Sequence, residues 1–175
     1  MQETVTKYAV VLSQILKVDV EIVDNKLNRI AGTGVFEVKV NNNISEEGYV
    51  YKTVIETGQT MIIDNPGSHN ICVNCPKANK CDETFEMSTP IKLNDEVIGV
   101  IGFVCFNQEQ KKHILTNYDT FLKFLNHIAD LISSKAKEEI EKKKVLDLKK
   151  LLVNIVNRIG EGVILIDERN KLIKL

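Results

Sequence analysis

Residues 87–106 read Met87-Ser-Thr-Pro-Ile-Lys-Leu-Asn-Asp-Glu-Val-Ile-Gly-Val-Ile-Gly-Phe-Val-Cys-Phe106, and the fold turns on this stretch. Asn94-Asp95 is a turn pair between two apolar runs, the pattern of a β-hairpin. The second run, 97–106, is apolar on both of its faces. Such a strand belongs in the middle of a sheet covered on each side, so it is expected to be the spine of the core.

Working outward from that hairpin, the flanking segments supply the covering layers. Residues 4–16 carry apolar side chains at Val5, Tyr8, Ala9, Leu12, Ile15 and Leu16, the spacing of an amphipathic helix. Residues 18–23 alternate as a strand and stop at the turn signal Asp24-Asn25, with 27–31 as the hairpin partner. After the Asn run at 41–43, Ser45 is placed to cap a short helix carrying Tyr49, Val50 and Val54, which Gly58 ends. A brief strand at 60–63 stops at Asp64-Asn65-Pro66-Gly67. From Gln108 a long helix is expected, with Leu115, Tyr118, Leu122, Leu125, Ile128, Ala129 and Ile132 as its apolar stripe. It runs on through a stretch of mixed charge at 135–150. Val145, Leu148, Leu152, Ile155 and Ile159 then step by threes and fours, the spacing of a coiled-coil seam, and predict a homodimer, with packing of this helix on the chain's own C-terminal part as the alternative. The tail 159–175 reads as a strand, a turn and the start of a second strand. A lone hairpin cannot bury a sheet face, so the natural protein is expected to continue beyond Leu175.

Composition narrows the class. In 175 residues, 43% are hydrophobic and 27% charged, with 23 Lys and Arg against 24 Asp and Glu. These values suit one folded domain with an extension. A formal charge of -1 gives no global basic field, so this segment is not expected to bind nucleic acid directly. The N-terminus lacks the plan of a signal peptide, and no apolar run reaches the length of a membrane span. The chain is therefore read as cytoplasmic, a compartment in which thiols stay reduced.

That compartment gives the four cysteines their interest. Cys72, Cys75 and Cys81 lie in a polar loop as CxxC, five residues, then Cys, and Cys105 closes the central strand. Thiolates so spaced can ligate a metal centre. A four-iron four-sulfur cluster is the favoured cofactor because the second CxxC of a typical zinc site is missing, and zinc is the alternative. Redox-active thiols without a cofactor are the remaining possibility. Cys105 competes with a plain reading as a small buried hydrophobe, and His69 is the alternative fourth ligand. Lys52, Lys77 and Lys80 could stabilise an anionic centre but more simply confer solubility. No catalytic triad, carboxylate pair or glycine-rich phosphate loop can be assembled, so an enzyme is not expected.

The order helix, hairpin, helix, strand, variable loop, hairpin, long helix, with Ser88-Thr-Pro-Ile-Lys-Leu-Asn-Asp-Glu-Val-Ile-Gly-Val-Ile-Gly-Phe103 as the paired central strands, resembles a GAF domain over roughly residues 1–134. The resemblance implies an α+β fold, an antiparallel sheet flanked by helices, followed by a linker or coiled-coil helix at 135–158. Glu161-Gly-Val-Ile-Leu-Ile-Asp-Glu-Arg-Asn-Lys-Leu-Ile173 looks like the opening hairpin of a PAS domain, truncated at 159–175. Together with Cys72-Val-Asn-Cys75-Pro76, the arrangement is similar to the sensory region of bacterial sigma-54-interacting transcriptional regulators. In that family the sensor precedes an AAA+ ATPase and a DNA-binding domain, neither of which is in this sequence. The resemblance thus implies that DNA and sigma-54 RNA polymerase are met through other domains, while this segment senses redox state or a gas through its cysteines. Two other readings remain open: a small-molecule pocket with structural zinc, and a dimerisation module without cofactor.

Overall fold

A computed structural model describes residues 2–158, the side chain of Asn79 excepted. The first helix, α1, spans Gln2–Leu16, followed by β1 (Asp19–Asp24) and β2 (Arg29–Gly32). Helix α2 (Tyr49–Thr57) and β3 (Met61–Asp64) come next, then β4 (Phe85–Leu93) and β5 (Glu96–Cys105), and finally α3 (Gln108–Thr116) and α4 (Tyr118–Arg158). The five strands form one antiparallel sheet in the order β2-β1-β5-β4-β3. The apolar run that opened the sequence reading is the central strand. The β4–β5 turn has positive φ at both Asn94 and Asp95, the conformation that twists with the strands and that Asn and Asp tolerate.

Alternation along the strands divides the core into two layers. Val20, Ile22, Phe85, Met87, Ile101, Phe103 and Cys105 face α1, α3 and α4, meeting Ala9, Leu12, Ile114, Leu125 and Ile132. Val23 and Val100 face the other way, against Tyr51 and Val54 of α2. Ile63 on the same side joins Val50 and Cys72. Gly99 marks close approach in the centre: a Cβ there would lie 2.4 Å from the Val23 carbonyl oxygen of the neighbouring strand.

Three local expectations are corrected. Ser45 does not cap α2; its N–H is held by Asn43 Oδ1 at 3.0 Å, and Gly48 occupies the N-cap position without a side-chain cap. The long helix is not continuous from Gln108. It breaks at Asn117, whose N–H bonds back to Ile114 and whose carbonyl accepts the first bond of α4 from Phe121. With the break the helical phase resets: Ile114 is fully buried while Leu115, expected in the core, is 49% exposed. Gly58 does end α2, in a left-handed conformation with φ 63.

The chain divides into two compact units, Met1–Ala136 and Lys137–Leu175. In the second, α4 runs on to Arg158 with Val145, Leu148, Leu152 and Ile155 all exposed. The PAS-like hairpin and Ile159 lie outside the described residues. Among the described residues, no helix is long and apolar enough to cross a membrane.

Candidate functional site

The sheet face beneath α2 is not closed by apolar side chains alone. A cavity of about 390 Å³ opens there, floored by β1, β2 and β4, walled by α2, and roofed by the segment between β3 and β4 that carries three of the cysteines. Cys72, Cys75 and Cys81 all line it.

The roof is built from three short 3₁₀ turns at Pro66–Ser68, Asn70–Cys72 and Ala78–Lys80. Successive backbone bonds run from Cys72 to the His69 carbonyl, from Cys75 to the Cys72 carbonyl and from Ala78 to the Cys75 carbonyl, each at 2.9 Å. The CxxC segment is thus a chain of tight turns. Gly67 has a role other than the mobility its residue type suggests. A Cβ on it would meet the Ala78 carbonyl oxygen at 2.5 Å and Cys81 Cβ at 2.8 Å, so the missing side chain lets the two ends of the roof touch and sets Cys81 beside the cavity.

The floor is charged, and sequence reading missed it. Glu21 and Arg29, each 3% exposed, form an ion pair at 2.5 Å. Tyr51 donates its hydroxyl to the second Glu21 oxygen at 2.9 Å, and the Arg29 guanidinium lies 5.3 Å from the centre of the Phe36 ring. Burial raises the Glu21 carboxyl even against the pull of Arg29. Beside this network, Glu86 accepts a bond from Ser88 Oγ at 2.6 Å. Burial, reinforced by the charge of Glu83, raises it well above the usual carboxylate range. Glu83 itself is pushed up to about 7, first by burial and then by Glu21. At the rim Lys77 pairs with Glu47.

The thiols share this environment. Burial raises Cys72 to about 11, with Glu86, Cys75 and Cys81 adding to the effect, and Cys81 is raised by burial and then by Glu83. Thiols so placed resist ionisation unless a cation arrives. All four cysteines are free thiols.

Cys105 is elsewhere. Its side chain follows Ile101 and Phe103 to the opposite face, in the core with Phe85 and Ile114, and burial pushes it up to about 12. Strand alternation therefore separates it from the three loop cysteines. His69 does not line the cavity either; its Nδ1 accepts a bond from the Ile71 N–H. Among the described residues, no group of three or more His, Cys, Asp or Glu side chains stands arranged to hold a metal ion. The donors are gathered in one cavity without being drawn together on one point.

The fold is that of a GAF domain. It is similar to the A. aeolicus nlh2 GAF domain in an inactive state, with a TM-score of 0.58 and 19% identity over 79% of this chain and 86% of that one. It is also similar to a GAF domain/HD domain protein from Geobacter sulfurreducens, at TM-score 0.51 and 16% identity, covering 78% and 93% of the two chains. A type II free methionine-R-sulfoxide reductase from Thermoplasma acidophilum has the same fold, at TM-score 0.53 and 17% identity over 76% and 89%. No family model matches the chain. In sequence it is 28% identical over 171 residues to the putative uric acid sigma-54-dependent transcriptional regulator UacR of Escherichia coli (strain K12). That match covers 98% of this chain and 28% of the relative, so the chain spans under a third of that protein's length. Fold and relative together support a GAF-type sensory, regulatory domain similar to one in a sigma-54-dependent regulator.

Proposed function

We propose that this chain is the sensing region of a sigma-54-dependent regulator and that it responds to a thiolate-bound metal centre in the cavity under α2, held by Cys72, Cys75 and Cys81. A redox or gas signal would act through an iron–sulfur cluster, and zinc is the alternative occupant. The observation that carries the reading is the convergence of three loop thiols on one cavity whose floor holds more acid than base. Soft thiolates select zinc or iron, and a cation there removes the penalty that keeps these thiols protonated. The chain acts as a sensor with no catalysis of its own, and homodimerisation through the helix at 137–158 carries its output. DNA and polymerase are contacted by other parts of the regulator.

Anaerobic purification of the full chain followed by metal and sulfide analysis tests the reading. Brown protein with iron and acid-labile sulfide identifies a cluster, and stoichiometric zinc identifies the alternative. Protein free of both metals, and unable to take up either, would sink it.

The cavity volume favours a second reading, a small organic ligand. The name of the Escherichia coli relative points to uric acid, and urate added to the chain should then raise its melting temperature. Arg29 is engaged by Glu21 and Lys77 by Glu47, while Lys39 and Lys80 also line the cavity.

A further inference from the structure

The roof of the cavity holds two thiols whose backbone is already set for a covalent bond. The Cys75 N–H donates to the Cys72 carbonyl at 2.9 Å, and Val73 between them has φ -53 and ψ -39. Cys72-Val73-Asn74-Cys75 is thus a hydrogen-bonded turn with a cysteine at each end. The ends of such a turn lie within about 7 Å of each other at Cα, and a disulfide spans about 4.4–6.8 Å. We propose that Cys72 and Cys75 form a reversible disulfide on meeting a low-molecular-weight disulfide, which makes the turn a dithiol modification site. The inference goes beyond the metal reading and does not need it, since only the two sulfurs and the oxidant take part.

The placement of the side chains supports this pair over any other. Both line the cavity, and Cys75 packs against the cluster of Val50, Ile63 and Cys72. The other two thiols stand apart from the turn. Cys81 is set against Gly67 where the ends of the roof meet, 2.8 Å from where a Cβ on that glycine would lie, and Cys105 is in the core on the opposite face of the sheet.

The order of reaction follows from exposure. Cys72 is 6% exposed, and burial raises its thiol. Cys75 is half-buried, and the Lys77 ammonium is near enough to feel its charge. A neighbouring cation favours the thiolate, the form that attacks. Cys75 therefore loses its proton and attacks the small disulfide: one S–S bond forms, one breaks, and the departing thiolate takes up a proton. Cys72 then attacks the Cys75 sulfur, its proton passing to the second departing thiolate. The chain is oxidised by two electrons and the small disulfide is reduced to two thiols.

Oxidation also changes what the roof holds. In the reduced chain Cys75 Sγ donates to the Glu47 carbonyl at 3.6 Å, and Glu47 directly precedes Gly48, the N-cap of α2. A disulfide sulfur has no hydrogen to donate. The roof then keeps the Lys77–Glu47 ion pair and loses the thiol bond to the residue ahead of α2.

The test equilibrates the 175-residue chain, reduced and treated with a chelator, against oxidised glutathione in the absence of air. Remaining thiols are blocked with N-ethylmaleimide in denaturant and the peptides are mapped by mass spectrometry. The expected product has lost two hydrogens, links Cys72 to Cys75, carries the blocking group on Cys81 and Cys105, and reverts with dithiothreitol. Cys72→Ser should stop at a stable mixed disulfide on Cys75, Cys75→Ser should lose the reaction at Cys72, and Cys81→Ser should react like the parent. A link from either turn cysteine to Cys81, or a parent chain that stays reduced or retains glutathione, overturns the inference. Glutathione on Cys72 in Cys75→Ser at the parent's rate overturns the order of attack. Hydrogen exchange over residues 44–52 should be faster in the oxidised chain and in reduced Cys75→Ala than in the reduced parent; exchange that oxidation leaves unchanged overturns the coupling to α2. Metal analysis of the untreated protein is a separate measurement, so the two readings fail independently.

Discussion

Arg29 and Glu21 show what a single pair of residues does here. Both are buried, and removing one leaves the other charged without a partner, which typically costs about 3–5 kcal/mol. Arg29→Met alone is therefore expected to lower the urea midpoint strongly. Glu21→Gln/Arg29→Met should recover most of that loss, because Gln keeps an acceptor for the Tyr51 hydroxyl and no ion stays buried. A double variant as unstable as the single one would show that the pair itself holds the floor together. The sequence announced none of this. In 18–23, alternation puts Asp19, Glu21 and Val23 on one face, and a polar face defaults to solvent. What covers Glu21 comes from positions 8 and 30 residues away, beyond the reach of any local period. Glu86 was hidden in the same way, between Phe85 and Met87, which point to the opposite layer. The loop cysteines were legible because their spacing is local, whereas the side of the sheet on which Cys105 falls depends on strand parity. That parity could have been counted from Phe103, once Phe103 was taken as core.

Elements were read more surely than their ends. The β4–β5 hairpin carried its own turn chemistry and continuous apolar run, so its place at the centre of the sheet was visible in the residues alone. The break between α3 and α4 was not, because Ile114 and Leu115 are interchangeable in a periodic stripe and only the packing of Ile114 chooses between them. The start of α3 is defined by reciprocal side-chain bonds: Asn107 Oδ1 accepts from the Gln110 N–H at 2.9 Å, and Gln110 Oε1 accepts from the Phe106 N–H at 2.8 Å. This is the logic of a capping box. Asn107→Ala should cost about 1 kcal/mol, read as a lower urea midpoint with unchanged slope. An unaltered midpoint would mean that packing of Ile114 alone fixes where α3 begins.

At the scale of the molecule, the unit Met1–Ala136 contains the whole sheet and all three apolar clusters. A chain ending at Ala136 is expected to unfold cooperatively at close to the parent's melting temperature while running as a monomer in light scattering. The 175-residue chain, with Val145, Leu148, Leu152 and Ile155 exposed along its helix, should run as a dimer. A monomeric parent would remove the coiled-coil output from the scheme.

The two layers of the core also bear on how occupancy could be felt away from the cavity. Strand β4 sends Glu86, which lines the cavity, and its partner Ser88 to one face and Met87 and Thr89 towards α4, where the Thr89 hydroxyl donates to Asn126 at 2.7 Å. Thr89 also shares a 2.6 Å bond with Thr60, just ahead of β3. One backbone thus works like the beam of a balance, with the cavity residues hanging from one side and the helix contact from the other. Movement of the beam from the cavity side is already movement beneath Asn126, and no relay of side chains through the sheet is needed.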